Sequence, residues 1–279
     1  MAKRPLSFGW VRDSLDPRDR VFSAPLERLQ ALPPRVDLLA DHPELFPPVY
    51  DQGRIGSCTG NAIAAAVQFE RRKQLAQSKG FQDFVPSRLF IYYNERHTEH
   101  TVPLDAGAQI RDGMKSIAKL GVCPESDWTY DDTPADPATH LFPHGAKETL
   151  PPDRDAVKIA KNYIALSYWR INRTLSQMKG CLADGYPFVV GFRVYDSIYD
   201  AQGEPRTIFP IPSAADLSAG SIGGHAVLAV GYDDDKQLFK LRNSWGPNVQ
   251  DNGYFYMPYA YLTDTQLSSD FWTLRGMSQ

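Results

Sequence analysis

Cysteine is scarce in this chain: Cys58, Cys123 and Cys181 are the only three in 279 residues. So few exclude a disulfide-built scaffold, and the odd number leaves at least one thiol unpaired within the chain. Long apolar runs are also missing. The stretches AIAAAV and VLAV are far too short to span a bilayer, so no membrane association is expected. No Lys/Arg-rich block occurs and the net charge is −3, which leaves no footprint for nucleic acid. The opening MAKRPLSFGWVRDSLDPRDR is basic, but polar residues interrupt it before an apolar segment forms, so no secretory signal is read. That favours a cytoplasmic place of synthesis and leaves signal-independent export open.

What is present suffices for a large core, since 42% of the residues are hydrophobic and 12% aromatic. One large domain or two lobes sharing an interface would fit. Residues 1–31, with Pro5, Pro17, Pro25 and many charges, read as an extended arm with one helical turn. Phe8, Trp10 and Phe22 on that arm need burial. Helical spacing of Ala62, Ala65, Ala66 and Phe69 predicts a helix from Cys58. PSRLFIYYNERH, with Pro86 suited to the first turn, and QIRDGMKSIAKLG, ended by Gly121, predict two more. A further helix is expected at 171–184 and a long loop at 129–158. After residue 185 the period changes. PFVVGFRVY, HAVLAVGY, QLFKLRNS and GYFYMP are strand-like, with a hairpin turn at Asp233–Lys236. Helices before about 125 and strands after 185 give an α+β fold with two segregated halves.

The chemistry is suggested by position. A helix N-terminus carries partial positive charge and free N–H donors, so a thiol at Cys58 should have its thiolate stabilised. A nucleophilic cysteine needs a base and a group that orients the base. His225 opens the apolar strand GGHAVLAVGY, and the next strand ends in LRNSWG, so the hairpin brings His225 close to Asn243. The Asn243 amide oxygen would accept the Nδ1 proton of His225, and Trp245 would cover that bond from water. Gln52, on the loop feeding the helix, would converge with the Cys58 N–H as an oxyanion hole. His97 and His100 lack the Cys or carboxylate partners of a metal site and read as solvated surface; no metal or cofactor is called for.

Together these segments resemble the papain-like cysteine peptidases. The nucleophile motif stands as Gln52-Gly53-Arg54-Ile55-Gly56-Ser57-Cys58, the histidine motif as Gly224-His225-Ala226-Val227, and the asparagine motif as Asn243-Ser244-Trp245-Gly246. The resemblance implies a papain-like two-lobed fold over 32–279, beginning at LPPRVDL. A helical lobe at roughly 50–130 would carry Cys58. A β-rich lobe at roughly 185–275 would carry His225 and Asn243, with the substrate cleft between them. It further implies Gly107, Gly224, Ala226 and either Ser269 or Asp270 as substrate-binding residues. Ser269 at the pocket floor would give an apolar preference, and Asp270 a basic one; the alignment leans to Ser269.

The sequence departs from that pattern. Ile55 stands where the family usually has a cysteine, Thr59 replaces an aromatic, Val249 replaces a second tryptophan, and Gly224 replaces a common polar residue. His225 and Asn243 lie further beyond Cys58 than the family's spacing of about 130–150 residues. The arm is too short for the family's helical propeptide; an integral strap is favoured over a removable inhibitor. Cys123 and Cys181 are buried thiols or a pair. The expected activity is that of a cysteine endopeptidase acting, as a monomer, on a protein or peptide. The alternatives are an amidase or transpeptidase using the same acyl-enzyme, or a non-catalytic peptide-binding protein on this scaffold.

Overall fold

The structure, a computed structural model, describes residues 7–77 and 82–278. Residues 1–6 of the expected arm lie outside the described residues. The strands are β1 (Trp10–Val11), β2 (Val21–Phe22), β3 (Arg35–Asp37), β4 (Ala108–Gln109), β5 (Ala165–Ile171), β6 (Phe188–Val194), β7 (Gly223–Asp233), β8 (Leu238–Arg242), β9 (Tyr254–Pro258) and β10 (Ser268–Met277). The helices are α1 (Leu26–Gln30), α2 (Leu38–Asp41), α3 (Cys58–Gln77), α4 (Arg88–Thr98), α5 (Ile110–Lys119), α6 (Arg154–Ala160), α7 (Leu175–Ala183), α8 (Ala214–Ala219) and α9 (Tyr259–Thr263).

The α+β segregation expected from the change of period is the one that forms. α3, α4 and α5 pack together, and α3 also packs across β7 and β10 of the main sheet. This explains why α3 has small residues all round rather than one apolar stripe: every residue from Cys58 to Arg71 is buried. The main sheet runs β2-β5-β10-β6-β7-β8-β9, with β3 added to β7. The hairpin of β7 and β8 closes at the expected turn, where Asp233 Oδ1 accepts the Lys236 N–H at 3.1 Å.

Three local expectations are corrected. Pro86 lies outside its helix, because Ser87 caps α4 by accepting the Phe90 N–H at 3.1 Å. The helix expected from 171 starts later, after the Thr174 cap, because residues 165–171 pair with β10 and β2 as a strand. Residues 129–158 include the first turn of α6, capped by Asp153. In each case long-range pairing or a side-chain cap outweighed local propensity.

The arm meets the body twice. β1 pairs parallel with β4, and β2 pairs parallel with β5. Between these contacts the chain loops outward, leaving Leu15 94% exposed. Cys58, Cys123 and Cys181 are all buried free thiols, so the pairing left open for Cys123 and Cys181 does not form. Among the described residues no helix is long and apolar enough to cross a membrane.

Candidate active site

Cys58 is the first residue of α3, and the turn that delivers it is pinned from several sides. The Asp105 carboxylate accepts the Gly56 N–H at 2.9 Å and the Tyr92 hydroxyl at 2.6 Å. The Tyr130 hydroxyl donates to the Gln52 carbonyl at 2.6 Å. Thr59, at the position of the usual aromatic, donates its hydroxyl to the buried Glu95 at 2.8 Å. Ile55, at the position of the usual cysteine, is fully buried in the core.

The second lobe supplies a histidine and an amide. His225 Nε2 meets Asn243 Oδ1 at 2.8 Å, and the Ser244 N–H donates to that same oxygen at 2.8 Å. The backbone donor identifies the facing atom as Oδ1, an acceptor, so the shared proton sits on Nε2. The expected bond from Nδ1 is thereby corrected. Nδ1 instead stays buried, with no hydrogen-bond partner among the described residues. Trp245 stacks on the imidazole, with centroids 4.8 Å apart and the planes 21° from parallel. Gln52 is oriented by Ser244, whose hydroxyl donates to Gln52 Oε1 at 2.7 Å. The two other calls on the second lobe, Gly224 and Ala226, stand on β7 beside His225.

The arm occupies this same space. The Ser7 carbonyl accepts Gln52 Nε2–H at 3.0 Å. Phe8 presents its ring to His225 at 6.0 Å and to Trp245 at 6.2 Å. Gly9 runs between Gly56 and Gly107, and its carbonyl accepts the Ala108 N–H at 2.7 Å. Trp10 then lies against Gly191 and Gly224. A β-carbon on Gly191 would come within 2.1 Å of the indole, and one on Gly224 within 2.3 Å of the Trp10 carbonyl. Indole-sized space therefore depends on glycine at both strand positions, which gives the departure at Gly224 a physical reason.

Asp270 closes that pocket. Its Oδ2 accepts the indole Nε1–H of Trp10 at 3.1 Å and the Asp13 N–H at 2.8 Å. Its Oδ1 accepts from Arg170 at 2.8 Å and from the Ser269 hydroxyl at 2.8 Å. The lean to Ser269 came from aligning this stretch with the family's pattern, and alternation along a strand would have put only one of the two residues at the pocket. β10 breaks alternation here, with Asp270 at φ +62° and the register shifting between Ser269 and Trp272. Both side chains turn inward, and it is Asp270 that bonds the pocket's occupant.

Burial sets the charge state of the covered site. Cys58 and His225 have no exposed surface. Desolvation pushes the Cys58 thiol up to about 12, outweighing nearby backbone donors including that of Gly9. The lowered thiol pKa expected from the helix terminus therefore does not hold while the arm is in place. Desolvation also pulls His225 down to about 4, opposed by its bond to Asn243. Both shifts favour the neutral form of each group while it is buried. Among the residues now seen at the site, Phe8 and Trp10 were legible as aromatics needing burial. Ser7, Gly9, Gly191 and Gln250, the last bonded to Asn243, carried no sequence signal.

A family model described as papain family cysteine protease matches residues 32–270. The chain is 39% identical over 236 residues to an uncharacterized peptidase C1-like protein of Acanthamoeba polyphaga mimivirus, covering 82% of this chain and 70% of that one. It is 24% identical to cathepsin B-like CP1 of Giardia intestinalis over 82% of this chain and 69% of the other. Among solved structures it is similar to xylellain, a cysteine protease from Xylella fastidiosa, at 48% identity and a TM-score of 0.88, covering 99% of this chain and 98% of that one. With the family model matching residues 32–270 and this similarity running almost end to end, the chain belongs to the papain family and is a cysteine peptidase.

Proposed function

We propose that the chain is a cysteine endopeptidase with Cys58 as nucleophile, kept latent by its own N-terminal arm. The observation that carries this reading is the Ser7 carbonyl, a peptide carbonyl held by Gln52 Nε2 beside Cys58. A substrate carbonyl bound there would receive the Cys58 sulfur at carbon, and its oxygen would gain charge against Gln52 Nε2–H and the Cys58 N–H. His225 Nδ1 takes the thiol proton, and Asn243 Oδ1 holds the resulting imidazolium through Nε2–H. The C–N bond then breaks as Nδ1–H protonates the departing amine, leaving a thioester on Cys58. Water, deprotonated by Nδ1, adds to the thioester; expulsion of the thiolate releases the acid.

Chain polarity supports latency. The departing amine must lie next to His225, so a productive peptide runs from the Asp270 pocket toward Trp245. The arm runs the other way, with Phe8 at His225 and Trp10 at Asp270. In that direction the arm offers its peptide bonds with the opposite polarity to a productive substrate. The arm fills the cleft without being a substrate.

The test compares the full chain with a Gly9→Ala variant on a library of internally quenched peptides, using Cys58→Ala as control. Internal cleavage by Gly9→Ala, little by the full chain and none by Cys58→Ala is expected. Retention of more than about a tenth of the activity in Cys58→Ala would remove Cys58 from the role, because losing an activated nucleophile costs far more than one order of magnitude.

A further inference from the structure

The geometry points to Gln250 as a positioning residue for the Asn243–His225 pair. Gln250 lies in the loop between β8 and β9, at φ +59°, in the left-handed region that favours glycine. Such a conformation persists only where the surroundings determine it, and here they determine the side chain too. Asn243 Nδ2–H donates to Gln250 Oε1 at 2.8 Å, and Gln250 Nε2–H donates to the Arg206 carbonyl at 2.9 Å. Arg206 is itself held, its N–H donating to the Ile198 carbonyl at 2.8 Å and its Nε–H to the Ser197 and Tyr199 carbonyls at 3.1 Å.

The relay has one consistent reading. The Arg206 carbonyl is an acceptor only, so the nitrogen of the Gln250 amide must face it. That turns Gln250 Oε1 to Asn243, which turns Nδ2 toward Gln250 and Oδ1 toward His225 Nε2–H. Flipping Gln250 would set donor against donor at Asn243 and oxygen against oxygen at Arg206. The segment 196–222 therefore reaches the imidazole through two side-chain amides. Its length in this chain has a use: it supplies the carbonyl that sets the first amide. Removing Gln250 leaves the Asn243 amide held from one side only, by the Ser244 N–H on Oδ1.

This inference rests on reading Asn243 and His225 as a catalytic pair, and its test separates the two. Nuclear magnetic resonance of the full chain should show the His225 Nε2–H as an exchange-protected signal. Gln250→Gly removes Oε1 while accepting the left-handed backbone, so the melting temperature should hold or rise while that signal broadens or disappears. Gln250→Glu keeps an acceptor for Asn243 but gives up the donor to the Arg206 carbonyl, and should retain more of the signal than Gln250→Gly. In the Gly9→Ala background, Gln250→Gly should lower kcat about tenfold, the rate equivalent of one lost hydrogen bond, with KM unchanged. The alkaline limb of its pH profile should move to lower pH, because the imidazolium loses its held acceptor. Gln250→Glu should move that limb the opposite way. A Gln250→Gly chain that keeps the protected signal, or that loses it with wild-type kcat and pH limbs, overturns the proposal. If the Gly9→Ala parent cleaves nothing, the endopeptidase reading falls, and the protected signal alone decides whether Gln250 orients Asn243.

Discussion

Gly9 passes so close to Gly56 that a β-carbon on Gly9 would stand 1.6 Å from the Gly56 carbonyl oxygen. Neither partner is a flexible side chain, so one backbone must move. Gly56 is pinned by Asp105, and the arm is the freer of the two. Gly9→Ala should therefore lift residues 7–10 from the cleft while the later strap, β2 on β5, stays paired. The check is the rate at which an iodoacetamide reagent modifies Cys58, followed by peptide mapping. Modification should rise by at least about tenfold over the parent, since one unit of log rate follows from only about 1.4 kcal/mol of opening. Equal, slow modification of both chains would mean that the arm does not guard the thiol.

Gln52 is expected to have two separable effects. In the Gly9→Ala background, Gln52→Ala should lower kcat by about 10²–10³-fold through loss of an oxyanion donor. In the parent it should also loosen the arm, because the bond to the Ser7 carbonyl goes with it. Steady-state kinetics with single-turnover acylation reads the first effect. A change in KM alone would assign Gln52 to ground-state binding.

Three of the shifted groups set the main pH dependence of arm closure. His225 moves from the ordinary 6.5 to about 4, so closure requires it to be neutral and weakens as pH falls through that window. Asp13 moves from 3.8 to about 7, chiefly by burial and next by the Asp270 carboxylate, so closure favours its protonated form and weakens as pH rises through that window. The two slopes oppose each other between about 4 and 6.5. Cys58 moves from 9.0 to about 12, so closure weakens again as pH rises above 9. Exchange protection of the Ala108 amide, corrected for intrinsic rates, should be nearly level from 7 to 9 and fall in alkali. A steep loss on acidification would show that His225 dominates Asp13.

Asp270 should make the pocket selective for a donor-bearing aromatic. Arg170 lies 2.8 Å from the carboxylate and offsets its charge, while the second oxygen remains an acceptor at the pocket's end. Matched fluorogenic peptides with Trp, Phe, Leu or Arg before the residue at the scissile bond should be cleaved fastest with Trp. The advantage over Phe is about tenfold, the worth of a hydrogen bond to a charged acceptor, and shrinks in Asp270→Asn. If Arg were fastest and Asp270→Asn erased its lead, the carboxylate would be acting by charge rather than as an acceptor.

Much of this was legible in the residues because it is written locally. The loop and small-residue helix at Cys58, the β-branched runs of β6 to β9, and the Asp233–Lys236 turn are short-range patterns. β5 was not legible, because its pairing with β10 is a contact across about a hundred residues that local propensity does not encode. The choice between Ser269 and Asp270 was not legible for a related reason. A bulge at Asp270 depends on what both neighbouring strands demand, and it cancels the alternation on which a register argument stands.

The sequence by itself determined which groups are available: a helix-terminal thiol, a strand-borne imidazole, an amide to hold it and a glutamine on the feeding loop. Their identities and order follow from residue chemistry and from periodicity. Only the tertiary structure decided their condition. Whether Cys58 is thiolate or thiol depends on the dielectric around it, and that is set by packed neighbours, among them Gly9 of the arm, tens of residues away in the chain. Which nitrogen of His225 carries its proton is set by Asn243, and the Asn243 amide is turned by Gln250 and a carbonyl at Arg206. Desolvation and hydrogen-bond direction are properties of packed neighbours, and neighbours distant in sequence exist only once the chain has folded.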